Sequence, residues 1–127
     1  MAKSAQIDGF GCARELQAAL IADGWRTPDT YGNHYESPKS EPSVYLFVLF
    51  KDDMFKRARV AYVGMTIDTI RRWSGHEILP QLDQAGRWTQ KWFRPVSRDD
   101  LRKVEAVYIA QHNPPWNIIG KRRGITT

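Results

Sequence analysis

Arg59–Glu77, RVAYVGMTIDTIRRWSGHE, is the stretch whose reading decides the fold. Arg59–Val63 is rich in β-branched and aromatic residues and reads as a strand that Gly64 ends. Thr66 suits the cap of a helix starting near Ile67, and Asp68 in its first turn favours the same end. Ile67, Ile70 and Trp73 recur at helical spacing and form the expected inner stripe. Arg72 and His76 are four positions apart, so one helix would carry them on one face, a turn from each other. Pro80 argues that this helix has ended by then. A packed core has a use for the Val, Ile and Trp residues. It has none for Tyr62, Gly64, Arg71, Arg72 and His76 gathered at one strand-to-helix junction.

Upstream, Val44–Phe50 (VYLFVLF) is continuously apolar, as in a central strand buried on both faces. KDDMFKRA then forms a connection too polar to bury, so an antiparallel hairpin is the simplest link to the strand at Arg59. Downstream, residues 88–94 (WTQKWFR) read as a third strand with Trp88 and Trp92 on one face. Ser97–Asp100 (SRDD) reads as a capping box before a helix over LRKVEAVYIAQH. Leu101, Val104 and Tyr108 face one way on that helix, and Val107 and Ile109 widen the apolar arc. Glu105 lies beside this arc, where a carboxylate is costly unless it is paired, hydrated or holding a metal. Asn113–Trp116 (NPPW) ends the helix, and Asn117 follows. Near the N-terminus, residues 12–23 read as a helix with Leu16 and Leu20 as its apolar stripe and Gly24 as its stop. Residues 25–42 carry three prolines and many turn formers and read as an extended arm, tied to the body by Trp25, Tyr31 and Tyr35.

At 127 residues the chain is one folding unit, and 42 % apolar content supports a core and excludes wholesale disorder. Residues 1–42 hold four basic and six acidic side chains; residues 43–127 hold fifteen and eight, a balance of +7 on the body. A basic body favours a polyanionic partner, nucleic acid first; the alternative is a solvated basic surface with no such role. Cys12 is the only cysteine, which excludes an internal disulfide and a Cys-rich zinc site. The N-terminus lacks an apolar signal segment and Val44–Phe50 is too short to span a bilayer, so the expectation is a cytoplasmic protein without a membrane partner.

At this point the chain resembles the GIY-YIG nucleases. Ser43-Val44-Tyr45 stands where the first triplet falls and Tyr62-Val63-Gly64 where the second does. Arg72, eight residues after Gly64, matches the family's catalytic arginine, and His76 a histidine that some members carry one turn later. Glu105 corresponds to the metal-binding glutamate and Asn117, twelve positions on, to the closing asparagine. Three positions depart from the pattern: Ser43 replaces its first glycine, the hairpin between Tyr45 and Tyr62 is longer than in compact members, and Met65 replaces a polar or basic residue. The resemblance covers roughly residues 43–118. It implies an α/β (α+β) fold, a small three-stranded antiparallel sheet flanked by helices. It also implies an organisation into an N-terminal helix and arm (1–42), a nuclease domain (43–118) and a basic tail (119–127).

The activity implied is hydrolysis of DNA phosphodiesters with one Mg²⁺ or Mn²⁺ held by Glu105. Arg72 would clamp the phosphate through its planar, permanently charged fork. Tyr62 would serve as general base with Tyr45 as its hydrogen-bonding support, the opposite order being open, and both would otherwise be strand core residues. His76 would take a proton or grip phosphate, or else face solvent at a helix end. Gly64 would keep the pocket clear, and Asn117 would brace Glu105 or the chain end. Arg71 reads first as a surface residue that touches phosphate non-specifically. Lys91, Arg94, Arg98, Arg102, Lys103, Lys121, Arg122 and Arg123 would form a DNA track. A lone single-metal pocket cuts one strand at a time, so the chain would act as a monomer or a homodimer. Two rivals remain open: a non-catalytic nucleic-acid-binding domain of the same shape, and an interaction protein using its Trp-rich surface.

Overall fold

A computed structural model of the chain describes residues 9–29, 36–51, 54–85 and 88–117. Tyr31, Tyr35, Lys121, Arg122 and Arg123 lie outside the described residues. In order, the elements are β1 (Gly11–Cys12), α1 (Ala13–Ala22), β2 (Ser43–Phe50), β3 (Arg57–Thr66), α2 (Thr69–Trp73), α3 (Ile78–Ala85), β4 (Trp88–Pro95), a 3₁₀ turn (Arg98–Asp100) and α4 (Leu101–His112). The sheet has four antiparallel strands in the order β1-β3-β2-β4, where a three-stranded sheet was expected. The fourth is β1, two residues paired with Ala58 and Arg57. A strand so short has no period to read, and the sequence places its Cys12 in the helix that follows.

β2 lies at the centre, and all eight of its residues are buried. Alternate side chains serve two cores. Val44, Leu46, Val48 and Phe50 face α1 and α4 with Trp92, Leu20 and Leu101. Tyr45, Phe47 and Leu49 face the other way with Ile78, Leu82, Phe93 and Trp116. This double burial is why the strand reads as an unbroken apolar run.

β3 is longer than its sequence suggests and contains Gly64 in its interior. Its register against β2 shifts between Phe47 and Val48, which pair with Tyr62 and Val60, so Ala61 is the extra residue of a bulge. Ala58 and Val60 face the first core, but Ala61 and Tyr62 both belong to the second. A regular strand would have sent Tyr62 to the face of Val60. The bulge sends it to the face of Tyr45.

Several local expectations are corrected. α1 buries Ala13, Gln17 and Leu20, with Leu16 only partly covered. Gly24 does end the region, at φ +91°. Asp68, not Thr66, caps α2, its side chain accepting from the Arg71 amide. Thr66 instead folds the preceding turn, its hydroxyl accepting from the Asp68 amide. The inner residue of α2 is Thr69, while Ile67 and Ile70 are more than half exposed. Pro80 sits in the first turn of α3, where its missing N–H costs nothing. The Ser97 hydroxyl bonds the Asp100 carboxylate rather than a helix amide. Val107 on α4 is exposed. Among the described residues, no helix is long and apolar enough to cross a membrane.

Candidate active site

The hydroxyl of Tyr45 is the centre of the site. Tyr45 is 1 % exposed and pairs across the sheet with Gly64 on one side and Phe93 on the other. A Cβ on Gly64 would come within 2.6 Å of the Tyr45 Cζ and Oη. Glycine is needed here because the phenol lies across it; the backbone itself is ordinary strand.

His76 meets that hydroxyl. α2 ends at Trp73, so the expected continuous helix from Arg72 to His76 does not exist. The chain turns at Ser74-Gly75 and returns His76 to the sheet, where Phe47, Tyr45 and Tyr62 surround its ring at centroid distances of 5.0, 5.5 and 5.1 Å. His76 is therefore 3 % exposed rather than facing solvent. Burial first, then the nearby Arg72 charge, lowers its pKa from the ordinary 6.5 to about 4, so at neutral pH it is uncharged. Its tautomer follows from its partners. The Ile78 amide donates to Nδ1 at 3.1 Å, which leaves the ring proton on Nε2. Nε2 then donates to the Tyr45 oxygen at 2.8 Å. A histidine so placed is an orienting donor and cannot accept a proton from Tyr45.

Arg72 and Tyr62 complete the cluster. The Arg72 charge acts on both phenols, and the Tyr45 and Tyr62 rings lie 6.3 Å apart, centroid to centroid. With its oxygen receiving Nε2–H, Tyr45 keeps its own O–H as a donor. Burial holds both phenols above the usual tyrosine range; Tyr62's phenol adds to the rise on Tyr45, and Arg72 opposes it on both. The charge of Glu105, half-buried on α4, reaches both phenols. Arg72 and Glu105 thus both act on the two phenols, and His76 bonds one of them.

Two members had no part, or another part, in the sequence reading. Glu77 holds Arg72, both carboxylate oxygens accepting from the guanidinium at 3.2 Å. Burial works against the Arg72 charge, but Glu77 and Tyr45 outweigh it and raise its pKa. The signal for Glu77 was only its place next to His76; its reach to Arg72 depends on the turn after α2. Ser43, the departure from glycine, bonds the Thr69 hydroxyl, which itself donates to the Glu41 carbonyl at 2.9 Å. It fastens the start of α2, and so Arg72, to β2.

Among the described residues, Asn117 bonds the edge of β3. Its side-chain oxygen accepts from the Val63 amide and its nitrogen donates to the Val63 carbonyl, both at 2.8 Å. It clips the outer edge of β3 between Tyr62 and Gly64.

Beside the cluster lies an open hollow of about 520 Å³ lined by Thr66, Ile67, Asp68, Arg71, Arg72 and Gly75. A second, of about 600 Å³, shares Thr66 and Ile67 and adds Arg98 and Arg102 among its walls. Four arginines therefore flank one surface ridge. Lys91 lies with Trp73, its ammonium 6.0 Å from the ring centroid. Arg94 does not join the ridge: its Nε donates to the Asp23 carbonyl at the end of α1. Lys103 is exposed on α4. Glu105 is not among the residues lining either hollow. Among the described residues, no group of three His, Cys, Asp or Glu is placed to hold a metal. A cation here would take one protein carboxylate and complete its shell with water and ligand oxygens. That donor set suits a hard ion such as Mg²⁺ or Mn²⁺ and no thiophilic metal.

Comparison with protein-family models, with curated proteins and with solved structures finds no match.

Proposed function

We propose that the chain is a divalent-metal-dependent DNA endonuclease of the GIY-YIG type, acting in the cytoplasm. The observation that carries the reading is the grouping of Tyr62 and His76 around Tyr45, with the His76 ring on the Tyr45 hydroxyl and the Arg72 and Glu105 charges acting on both phenols, beside an arginine-lined hollow. A structural core gains nothing from two neighbouring phenols, a cation and a carboxylate.

Each residue has a task in phosphodiester hydrolysis. Arg72 meets the non-bridging oxygens where charge grows on phosphorus, a role in which one donor is worth about 3–4 kcal/mol. Glu77 holds that guanidinium in an exposed pair worth about 1 kcal/mol at most, so an incoming phosphate displaces it readily. Tyr62, less buried than Tyr45, would be the base: its own phenol proton passes to solvent while its oxygen takes a proton from the attacking water, the water oxygen bonds phosphorus, the bond from phosphorus to the 3′ oxygen breaks, and that oxygen takes up a proton from solvent. His76 orients Tyr45 by its hydrogen bond, and both rings pack beside Tyr62. Glu105 would hold the Mg²⁺ or Mn²⁺, which when bound supplies Lewis acidity at the phosphate.

The test is incubation of the parent, Glu105→Ala, Arg72→Ala and Tyr62→Phe with plasmid, with branched DNA and with RNA, in Mg²⁺ or EDTA. Magnesium-dependent nicking of DNA by the parent, reduced at least 100-fold in each folded variant, is the expected result. Equal cleavage by the variants would remove the assigned site. A second reading, a nucleic-acid-binding domain without catalysis, is favoured by the single carboxylate and by burial that holds both phenols protonated. Salt-sensitive binding by a parent that cuts none of the substrates would establish it.

A further inference from the structure

The hairpin tip joining β2 to β3 carries features that the phosphate site does not use. Met54, Phe55 and Trp88 are 83 %, 50 % and 39 % exposed. Phe50 stacks on one face of Trp88 at 5.2 Å, and Phe55 stands edge-on to both rings, at 5.6 and 5.4 Å. Met54 and Phe55 hold φ of 64° and 62°. Left-handed backbone at such side chains costs about 1–2 kcal/mol per residue and persists where the surrounding structure imposes it. Both sheet cores are complete without these two residues. Lys51 follows Phe50 in the chain and Lys56 and Arg57 follow Phe55, all three are exposed, and segment 51–59 carries four basic against two acidic side chains.

We propose that Phe55 and Trp88 form a stacking platform for an unpaired nucleic-acid base. A purely apolar partner would find the basic rim unfavourable, whereas a base offers a π-face on a polyanionic strand. The inference rests on the nuclease reading and narrows its substrate to single-stranded or splayed DNA. Phe50 belongs to the face of β2 opposite Tyr45, so the platform is a second site apart from the phosphate pocket.

Fluorescence anisotropy in EDTA tests this with three labelled probes: oligothymidylate, a splayed fork and a blunt duplex. Phe55→Ala and Trp88→Ala should each weaken oligothymidylate and fork binding about 10-fold while duplex binding changes less than about twofold. Trp88→Phe, which keeps a ring against Phe50, should bind like the parent and serves as the folding control. Abasic substitution in the oligonucleotide should weaken the parent and leave Phe55→Ala unaffected. Equal binding of all probes by folded Phe55→Ala overturns the platform and leaves the nuclease reading standing. Self-association of the parent that Phe55→Ala abolishes, with unchanged DNA affinity, assigns the tip to a second copy and also overturns it. A parent that binds no probe sinks the nuclease reading and the platform with it.

Discussion

His76 shows how one residue couples the site to stability. The fold keeps its imidazole neutral, with a pKa of about 4 against an ordinary 6.5. The unfolded chain takes up a proton below 6.5, and the folded chain takes it up only near 4. Between those values the unfolded state binds more protons, so stability falls as pH falls, and the loss is complete below about 4. The loss is on the order of 2–3 kcal/mol for a group this buried. Urea midpoints of the parent and His76→Gln, followed from pH 7 down to pH 4, isolate the effect, because carboxylates titrate alike in both. The parent should lose its advantage over the variant inside that window. Parallel curves would mean that His76 is protonated in the fold and that the assigned tautomer is wrong. The residue types at this site were legible in the sequence, since Tyr62, Arg72 and His76 had no core purpose. The direction of the proton chain was not, because it depends on the Ile78 amide reaching Nδ1.

At the level of elements, residues close to the site were displaced from their expected faces by features that carry no periodic signal. The Ala61 bulge turns Tyr62 onto the pocket face, and nothing in an Arg-Val-Ala-Tyr-Val run announces an extra residue. α2 is only five residues long, so hydrophobic spacing over Ile67–Trp73 overstated it and placed two exposed isoleucines inside. The central strand, by contrast, was legible because burial on both faces leaves no polar position to confuse the reading. The outer edge of β3 is where an element still depends on one side chain. β1 covers only Ala58 and Arg57, and at Val63 the edge is closed by Asn117. Asn117→Ala should leave that amide and carbonyl without their clip and cost about 1–3 kcal/mol. Asn117→Asp should fare no better, since it sets a carboxylate oxygen against the Val63 carbonyl. The check is the urea midpoint together with hydrogen exchange at the Val63 amide, which should speed up in both variants. An unchanged exchange rate would mean that this edge is held by something other than Asn117.

The whole molecule divides its charge, with −2 on residues 1–42 and +7 on residues 43–127. The sequence reading puts Lys91, Arg94, Arg98, Arg102, Lys103, Lys121, Arg122 and Arg123 on one track, because charge counts carry no direction. The fold sorts them: Arg71, Arg72, Arg98 and Arg102 flank the Thr66-Ile67 ridge, whereas Arg94 is tied to the end of α1. If the ridge is where a DNA backbone lies, binding should release one counterion for each phosphate met by these four arginines. The logarithm of the binding constant should then fall with the logarithm of salt at a slope of about −3 to −4. Arg98→Ala and Arg102→Ala should each make the slope shallower by about 1 and weaken binding equally across DNA sequences. Arg94→Ala should leave the slope unchanged, although it removes the same charge. Titrations of one duplex at several salt concentrations in EDTA separate these cases. If all three variants lose the same slope, the partner reads net charge alone and the ridge is not its path; if only the first two do, the four arginines define the direction in which the strand crosses the site.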